Sequence, residues 1–490
     1  MKRSDRFISW GICIAGALLY LITMEPAGGY WDSSEWIATA VKLEVGHPPR
    51  APFYILLARL FAIFSFGSGT AAAFLVNLLS VVASALTLYF LYHTIRMLLV
   101  RIGEKAQFAT PKAAELIISG SSAIGALAYA VSDTFWNSAN EAEVYSLSSL
   151  FTAIVVWAIL RWDADHEKPG SSRWLYLIAL LIGLSVGTHL LNMLATPAIV
   201  FVFGFRMYRM NWKNIVLLSL ASLGLLAFMV YLFIPGISRI VAYSDVLFVN
   251  SFGLPLRSGI YTSFLLIWGF LFAGSWLAMK NKKPRLQIVF TMLLLLVAGY
   301  SAYGLTVIRS AAGTPINEAN PSHAYSLMAY IEREQYGEQP LFSGQFFNSQ
   351  PDKRLPYIEA GEHRKPVNGR YETTGKRMKP NFPKREIKPF PRMWSSRPDH
   401  IAAYKEWSGT DGLKLPGSAE NFRFLTRYQL GHMYLRYFMW NFVGRQNDIQ
   451  GHGNKIDGNW ISGIKFIDEA RLGDQDKLPA KYADNPGRNT

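Results

Sequence analysis

The sequence predicts an all-α polytopic membrane protein with about nine transmembrane helices, an interfacial helix and a loop-rich external C-terminal segment. Three observations lead to this fold class. Of 490 residues, 51% are hydrophobic and 17% are charged, which is too apolar for an ordinary soluble chain. Apolar runs that approach the length needed to cross a ~30 Å hydrocarbon core recur through residues 1–308. Basic residues gather in alternate loops between these runs, in keeping with the positive-inside rule.

The first apolar run covers residues 7–24 and follows the basic stretch MKRSDR. A secretory signal peptide begins in a similar way, but this run is longer and no A-x-A cleavage site follows it. We therefore expect an uncleaved anchor with a cytoplasmic N-terminus. Cys13 is the single cysteine, so the chain has neither a disulfide framework nor a thiolate metal site.

Further apolar runs complete the predicted transmembrane domain at residues 1–308. They cover residues 71–92, 113–130, 145–160, 174–186, 194–205, 215–235, 260–279 and 286–307.

Residues 53–66 form one more apolar run, which we interpret as an interfacial helix. The run has only ~14 residues, fewer than a membrane crossing needs. It follows Pro52, contains Arg59 and ends at Gly67, which is typical of a short helix lying at a membrane surface.

The sidedness of the loops depends on that interpretation. If residues 53–66 crossed the membrane, the basic loop at residues 96–112 would lie opposite the basic N-terminus. As an interfacial helix, the run places the basic loops together in the cytoplasm. The loops at residues 25–52 and 133–144 and the segment at residues 309–490 then lie outside.

The external segment, residues 309–490, is rich in Lys, Arg, Pro, Gly and aromatic residues and has no apolar run long enough to cross a membrane. Its dense prolines, as in KPNFPKREIKPFPRMW, predict loop-rich or partly extended structure. The chain stops at PGRNT without a final span. We expect a truncated or split protein whose missing spans are supplied by a partner chain.

The stretch WDSSEW places Asp32 and Glu35 three residues apart, directly after the first span. Locally this is a capping pattern, with Asp32 as N-cap and Glu35 at the third helical position. The predicted location favours another role. Both carboxylates lie just outside the membrane beside an interfacial helix, where an enzyme needs a base that faces a lipid-borne substrate. Both interpretations stay open from sequence alone.

The second external loop contains Glu141 and Glu143 in WNSANEAEVY, with no basic residue nearby. Such acids can bind a substrate hydroxyl, an amine or a divalent cation. They can equally stabilise the start of the next helix through its dipole. His189, in VGTHLLNM between two spans, is a third candidate because ionisable groups at the ends of spans often line functional cavities. It can also be a simply solvated histidine.

The order of these motifs resembles the GT-C superfamily of polytopic glycosyltransferases. The motifs are an external D-x-x-E, then HPP before the interfacial helix, a small-residue-rich span that ends at an acidic loop, and GLSVGTHLLNMLATPA. Within that superfamily the chain is most similar to the protein O-mannosyltransferase-like family of Bacteroidetes-type bacteria, which has animal relatives. The similarity covers about residues 24–197, and the later stretch PINEANPSHAYSLMAYIEREQYG also resembles the family.

The resemblance implies a GT-C-like transferase in the bacterial inner membrane. It would move a sugar, mannose in this family, from a polyprenyl-phosphate donor to Ser or Thr hydroxyls of exported proteins on the external face. By position, Asp32 would act at the acceptor, with Glu35 nearby. His47, Asn317 and Glu318 lie in the resembling stretches, and we expect them among the substrate-binding residues together with Glu141, Glu143 and His189.

The leaving phosphate of such a reaction needs cationic stabilisation. Arg50, in HPPRAP, is placed to supply it, although the family usually has glycine there. Arg50 is therefore either a new phosphate contact, a neutral substitution or a sign of a different donor pocket. Arg309 and Arg333 are alternatives, and each could instead be an ordinary solvated or membrane-flanking arginine.

Two other classes compete with an enzyme. A transporter or flippase for a lipid-linked substrate predicts polar or broken segments at the bilayer midplane, whereas most mid-span positions here are apolar or small, apart from Asn77. A non-catalytic membrane subunit would instead use the basic external segment to bind a glycan or a protein.

Nucleic acid is not an expected partner, because the basic segment lies outside. The chain has no Gly-rich phosphate loop, metal-spaced His/Cys set or nucleophile elbow. We predict no cofactor and no dedicated metal residues, with a divalent cation at the external acids as the alternative. The expected partners are the lipid-linked donor, an exported acceptor protein and membrane lipid.

Overall fold

The structure, a computed structural model, describes residues 3–103, 110–337, 339–479, 482 and 487–488. Lys2 and Lys105, which contribute to the predicted sidedness, lie outside the described residues, as does most of the terminal PGRNT. The described chain forms two compact units. The first comprises Met1–Gln335 with Arg364–Glu372, and the second comprises Tyr336–His363 with Thr373–Thr490.

The first unit is helical. Its α-helices are Arg3–Thr23, Ser33–Lys42, Pro52–Ala62, Gly69–Gly103, Pro111–Ala130, Asp133–Asn140, Val144–Ala164, Ser172–Val186, Thr196–Met207, Trp212–Ala227, Ile234–Asn250, Ser258–Lys280, Pro284–Tyr300, Tyr303–Ala311 and Ala324–Ile331. Short 3-10 turns occur at Ile63–Ser65, Leu190–Ala195 and Glu334–Tyr336, and a π-helical turn occurs at Phe228–Phe233.

Within the described residues, 8 helices are long and apolar enough to cross a membrane by length and composition. They are Arg3–Thr23, Gly69–Gly103, Pro111–Ala130, Val144–Ala164, Leu190–Met207, Trp212–Asn250, Ser258–Lys280 and Pro284–Ala311. The predicted all-α polytopic membrane protein is thus confirmed.

The remaining predicted span, at residues 174–186, corresponds to the 15-residue helix Ser172–Val186. At ~1.5 Å per residue this helix is shorter than a ~30 Å hydrocarbon core. It crosses Pro284–Tyr300 at close range, where Gly183 and Gly299 face each other. A Cβ atom at Gly183 would overlap the carbonyl oxygen of Leu296, so only glycine allows this approach of two backbones.

One predicted span is longer than its apolar run. The run at residues 215–235 is part of a helix that continues from Trp212 to Asn250. Pro235 lies in the first turn of Ile234–Asn250, directly after the π-helical turn, where its missing N–H removes no regular α-helical hydrogen bond. The proline therefore does not end the helix.

Helix Gly69–Gly103 lies at the centre of the first half of this unit. It packs against Arg3–Thr23, Pro111–Ala130 and Val144–Ala164. The described helix Pro52–Ala62 stands where the interfacial helix is predicted, and its Phe53 N–H donates to Gly187 O at 2.8 Å. This bond ties the end of Ser172–Val186 to the external loops.

The second unit is loop-rich, as predicted, but it closes around a small core of Phe346, Met393, Tyr404 and Phe424. Strand Ser343–Gln345 pairs antiparallel with Ile387–Pro389, with Gly344 opposite Lys388. The hairpin strands are Tyr357–Val367 and Arg370–Pro380, and the hairpin's tip, Arg364–Glu372, belongs to the first unit.

The helices of this unit are Pro398–Ser408, Ser418–Phe424, Tyr437–Phe442 and Lys465–Leu472, with a π-helical stretch at Leu425–Arg436 and 3-10 turns at Lys384–Glu386 and Gln475–Lys477.

Candidate functional site

The loops at residues 25–52 and 133–144 meet at one end of the helical bundle in the first unit. The Glu25 N–H donates to Asn140 O at 2.9 Å, which joins the starts of the two loops. Asn77, from the central helix, donates to the carbonyls of Glu25 and Ala27 at 2.7 and 2.9 Å. The one polar residue noted within a predicted span thus holds an external loop in place.

Asp32 directly precedes helix Ser33–Lys42, but its carboxylate makes no capping hydrogen bond. Its side chain is 54% exposed, and Oδ2 lies 3.6 Å from His47 Nε2. The Glu35 side chain does not complete a capping box either, because Oε1 accepts from the backbone N–H of His47 at 2.9 Å. Asp32 and Glu35 thus lie at the predicted N-cap and third helical positions, but neither carboxylate makes a capping hydrogen bond, and both face the turn at HPPR.

Glu35 is held by two residues of that turn. Its Oε2 lies 2.7 Å from His47 Nδ1, and its Oε1 lies 3.1 Å from Arg50 Nη1. Burial raises the pKa of Glu35, but the positive charge of Arg50 and the hydrogen bonds from His47 lower it further, so that the pKa falls below its usual value. Glu35 is consequently ionised at neutral pH.

Arg50 is buried, with 2% of its side chain exposed. Its guanidinium lies 3.6 Å from the centre of the Trp36 ring, and Nη2 donates to Thr39 Oγ1 at 2.7 Å. Burial lowers the pKa of Arg50 even though Glu35 opposes that effect. The guanidinium thus makes its contacts within the protein and faces Glu35, not solvent.

The HPPR turn is anchored from distant parts of the sequence. The Tyr330 hydroxyl donates to Gly46 O at 2.7 Å, and the Tyr303 hydroxyl donates to Pro49 O at 3.0 Å. A Cβ atom at Gly46 would overlap Glu35 Oε1 and the Arg50 guanidinium. Glycine at this position therefore allows the ion pair to form.

Glu143 lies immediately before helix Val144–Ala164, and its carboxylate accepts from the Val144 N–H at 3.3 Å. Burial, together with the negative charges of Asp32 and Glu141, raises the pKa of Glu143 to about 7. Glu141 lies against Gly29 of the first loop, and burial and Glu25 raise its pKa. The structure thus brings the acids of both loops into one electrostatic cluster.

His189 lies at the edge of this cluster. Its Nδ1 accepts from the Leu191 N–H at 3.1 Å, and its ring packs against Tyr145 with centroids 5.0 Å apart. Burial and the charge of Arg333 lower the pKa of His189, so the ring is neutral at pH 7. Arg333 itself is exposed.

Three further predicted residues lie beside the HPPR turn and not among the carboxylates of the cluster. Arg309 donates to Leu43 O and Lys42 O at 3.0 and 2.9 Å, which caps the C-terminus of helix Ser33–Lys42. Asn317 bonds to Ser310 and forms a parallel bridge with Val45, and the N–H of the exposed Glu318 donates to Val45 O at 2.9 Å. Their role in substrate binding stays a prediction.

Asp32, Glu35 and His47 each offer one ligand atom, and these atoms lie within 4.8 Å of one another, as in a metal site. Arg50 already pairs with the Glu35 oxygen at 3.1 Å. The guanidinium thus places a positive charge beside the cluster, which weakens its attraction for a metal ion.

Five further residues contribute to the site and are not predicted from sequence: Trp36, Thr39, Gly46, Tyr303 and Tyr330. Thr39 lies four residues after Glu35 on the same helix face, and this spacing could have linked the two. Trp36 directly follows Glu35, and adjacent residues of a helix do not face each other. Tyr303 and Tyr330 are separated from the HPPR turn by hundreds of residues, and no local pattern connects them to it.

The fold and the site define a multi-pass helical membrane protein with an acidic cluster built from two loops at one end of its bundle. Residues 32–212 match the family model described as protein O-mannosyl-transferase TMEM260 N-terminal domain. That match includes every residue of the cluster from Asp32 to His189. It supports an O-mannosyltransferase-like family for this part of the chain.

A curated relative agrees with that match. The chain is 30% identical over 174 residues to protein O-mannosyl-transferase TMEM260 of Mus musculus. These 174 residues are 35% of this chain. The matched part spans 22% of that relative's length. Residues 337–426 match a family of unknown function, DUF8416. No solved structure matches the chain.

Proposed function

We propose that this protein is a GT-C-like glycosyltransferase that moves mannose from a polyprenyl-phosphate donor to Ser or Thr hydroxyls of exported proteins. It would act on the extracytoplasmic face of a bacterial inner membrane. The observation that carries the proposal is the convergence of Asp32, Glu35 and Glu143 from two loops within the segment similar to protein O-mannosyl-transferase. The orientation follows from the basic loops of the sequence.

Asp32 is the proposed base. The acceptor oxygen forms a bond to C1 of the sugar, the bond from C1 to the phosphate oxygen breaks, and the phosphate leaves with that electron pair. The hydroxyl proton passes to the Asp32 carboxylate. This assignment rests on the exposure of Asp32 and on the lack of a capping bond, which leaves its oxygens available to an acceptor.

The neighbouring residues have supporting roles. His47 lies between Asp32 and Glu35 and restrains both carboxylates, while Arg50 neutralises Glu35. Glu143 has a pKa of about 7, so it gains a negative charge as the pH rises through neutrality. The protonation state of Glu143 therefore sets how much negative charge lies beside Asp32 at neutral pH.

Arg333 is the proposed contact for the donor phosphate. Arg333 is exposed, and it lies close enough to His189 for its charge to lower the pKa of that ring. A cation at this edge would stabilise the charge that develops on the leaving phosphate. Arg333→Gln is expected to raise the KM for the donor more than it lowers the rate at saturation.

The transporter alternative draws little support from the broken helix. The π-helical turn Phe228–Phe233 interrupts Trp212–Asn250, as a discontinuous transporter helix would. Its residues are FMVYLF, and Phe228, Tyr231 and Leu232 are exposed on the outside of the bundle. A substrate site at this break would lack the polar groups that such sites use.

The test uses the full chain reconstituted in liposomes with a radiolabelled donor and a Ser/Thr-rich peptide outside. Mannosyl-phosphoryl-polyprenol is expected to label the peptide, whereas GDP-mannose is expected not to do so. Labelling from GDP-mannose alone would refute the lipid-linked donor. Movement of the labelled lipid across the bilayer without peptide labelling would favour the transporter.

A further inference from the structure

A cavity of about 630 Å³ lies within the second unit. The cavity is lined by helix Pro398–Ser408, by the π-helical stretch Leu425–Arg436 with the following helix Tyr437–Phe442, and by the loop at residues 448–458. This volume is in the range of ~300–1,000 Å³ that small-molecule sites occupy. The acidic cluster described above includes none of these residues.

Aromatic rings form two faces of the cavity. Trp407 and Tyr428 lie with their ring centroids 5.3 Å apart, and Tyr437 and Trp440 are stacked at 5.8 Å with an angle of 11°. The Trp440 indole N–H donates to Asn447 O at 3.0 Å, which fixes the orientation of that ring. The cavity thus offers flat apolar surfaces that are already in place before a ligand binds.

Two carboxylates beside these rings have no hydrogen-bond or ion-pair partner among the described residues. Glu406 and Asp448 line the cavity, and within the described part of the chain neither makes a hydrogen bond or an ion pair. Asp399, which also lines the cavity, differs because Arg397 holds it at 2.8 Å. Glu406 and Asp448 are therefore the acceptors that a bound ligand would meet.

A positive group lies in the same cavity. Arg436 donates from Nε to His432 O at 3.0 Å and from Nη1 to Gly458 O. Burial is the first cause that lowers the pKa of His432, so this ring is neutral and adds no charge. The cavity consequently combines one fixed cation with two unpaired carboxylates.

This combination selects a class of ligand. An anionic ligand would be opposed by Glu406 and Asp448, and a cationic ligand would lie beside the guanidinium of Arg436. A purely apolar ligand would cover both carboxylates without satisfying them. A ligand with many hydroxyl groups and an apolar ring face satisfies the carboxylates and packs on the aromatic rings at the same time.

We propose that this cavity is a carbohydrate-binding site, with Glu406 and Asp448 accepting hydrogen bonds from sugar hydroxyls and Trp407 and Trp440 packing against sugar rings. The site goes beyond the proposed transferase function and does not depend on it. Because its residues lie wholly within the second unit, binding and sugar transfer can be measured separately.

The experiment is saturation-transfer NMR on the full chain in a detergent without a sugar headgroup, with mannobiose, diacetylchitobiose and maltotriose as probes. We expect saturable binding of at least one probe. Glu406→Gln and Asp448→Asn should each weaken it about tenfold, because each removes a charged acceptor. Both residues are exposed, so neither substitution is expected to affect folding.

Glu359→Gln is the matched control, since it makes the same chemical change at an exposed residue of the hairpin that lies outside the cavity. It should leave the affinity unchanged. The proposal is overturned if none of the three saccharides binds, or if the cavity variants bind as tightly as wild type. Binding of an oligolysine peptide, with no binding of any saccharide, would instead show that the cavity is a site for cations.

Discussion

At the residue scale, the site depends on Glu35, which forms an ion pair with Arg50 and a hydrogen bond with His47. The sequence singled out all three residues, but it did not pair them. From sequence, Arg50 is a candidate contact for the donor phosphate. In the structure its guanidinium is buried, and Nη1 lies 3.1 Å from Glu35 Oε1. The pairing requires the HPPR turn to fold back onto helix Ser33–Lys42, and a linear sequence does not show such a return.

Replacing Arg50 should leave a partly buried carboxylate without its counter-charge. We expect Arg50→Gln to destabilise the protein by about 2–4 kcal/mol, as is usual when one partner of a buried pair is removed. Thermal unfolding of the purified variants in detergent measures this. Arg209→Gln, at an exposed arginine, should change the unfolding temperature little.

The double variant Glu35→Gln with Arg50→Gln should recover part of that lost stability, since it removes the stranded charge as well. If Arg50→Gln alone unfolds at the wild-type temperature, the buried ion pair does not contribute to stability as described.

Glu143 should make stability depend on pH. Its pKa rises from an ordinary 4.5 to about 7 in the fold, so the folded state retains a proton that the unfolded state has lost. Wild-type stability therefore falls as the pH rises from about 4.5 to about 7. Glu143→Gln stays neutral and should gain about 3 kcal/mol relative to wild type at pH 8, with almost no gain near pH 4.5.

Unfolding curves at both pH values decide this point. An equal effect of Glu143→Gln at low and high pH would mean that the carboxyl has an ordinary pKa.

At the element scale, sequence reasoning located the helices but not all of their ends. Hydropathy is informative for spans because every backbone polar group in a bilayer must be satisfied within a helix. Hydropathy did not predict where Trp212–Asn250 ends, because a π-helical turn allows this helix to continue past Pro235. It also gave no indication of helix Asp133–Asn140, which is short and polar within the second external loop.

The site likewise depends on a close approach at one glycine. Gly46→Ala would place a methyl group against Glu35 Oε1 and the Arg50 guanidinium, so the turn must shift. We expect this variant to lose at least about tenfold in transfer activity, because small displacements of positioning residues have large effects on rate. Transfer from the mannosyl lipid to the peptide is the measurement.

Gly69→Ala is the control, since a Cβ atom there would meet no atom within 4 Å. Equal activity of Gly46→Ala and wild type would show that the ion pair is not needed for catalysis.

At the scale of the whole molecule, the membrane class follows from composition and hydropathy, whereas the assembly of the site does not. The site needs Tyr303 and Tyr330 to reach the HPPR turn from more than 250 residues away. Such contacts form only when the bundle closes, and no periodicity in the sequence records them. The second unit shows the same limit, since its cavity joins three separate stretches.

The proposed orientation can be tested with cysteine labelling, because the only native cysteine, Cys13, is buried. We expect Trp31→Cys, at an exposed position of the first external loop, to react with a membrane-impermeant maleimide in intact cells. Lys168→Cys, at an exposed position of a basic loop, should react only after the membrane is opened. The reverse pattern would invert the proposed topology.

In the proposed reaction, Asp32 is the base of a sugar transfer to protein hydroxyls. The most direct measurement compares transfer from radiolabelled mannosyl-phosphoryl-polyprenol to a Ser/Thr peptide by wild type, Asp32→Asn and Asp133→Asn, each purified and shown to be folded. We predict that Asp32→Asn abolishes transfer, because the amide cannot take up the hydroxyl proton, while Asp133→Asn retains it. Transfer by Asp32→Asn at the wild-type rate would contradict the claim and would move the base to the loop that carries Glu141 and Glu143.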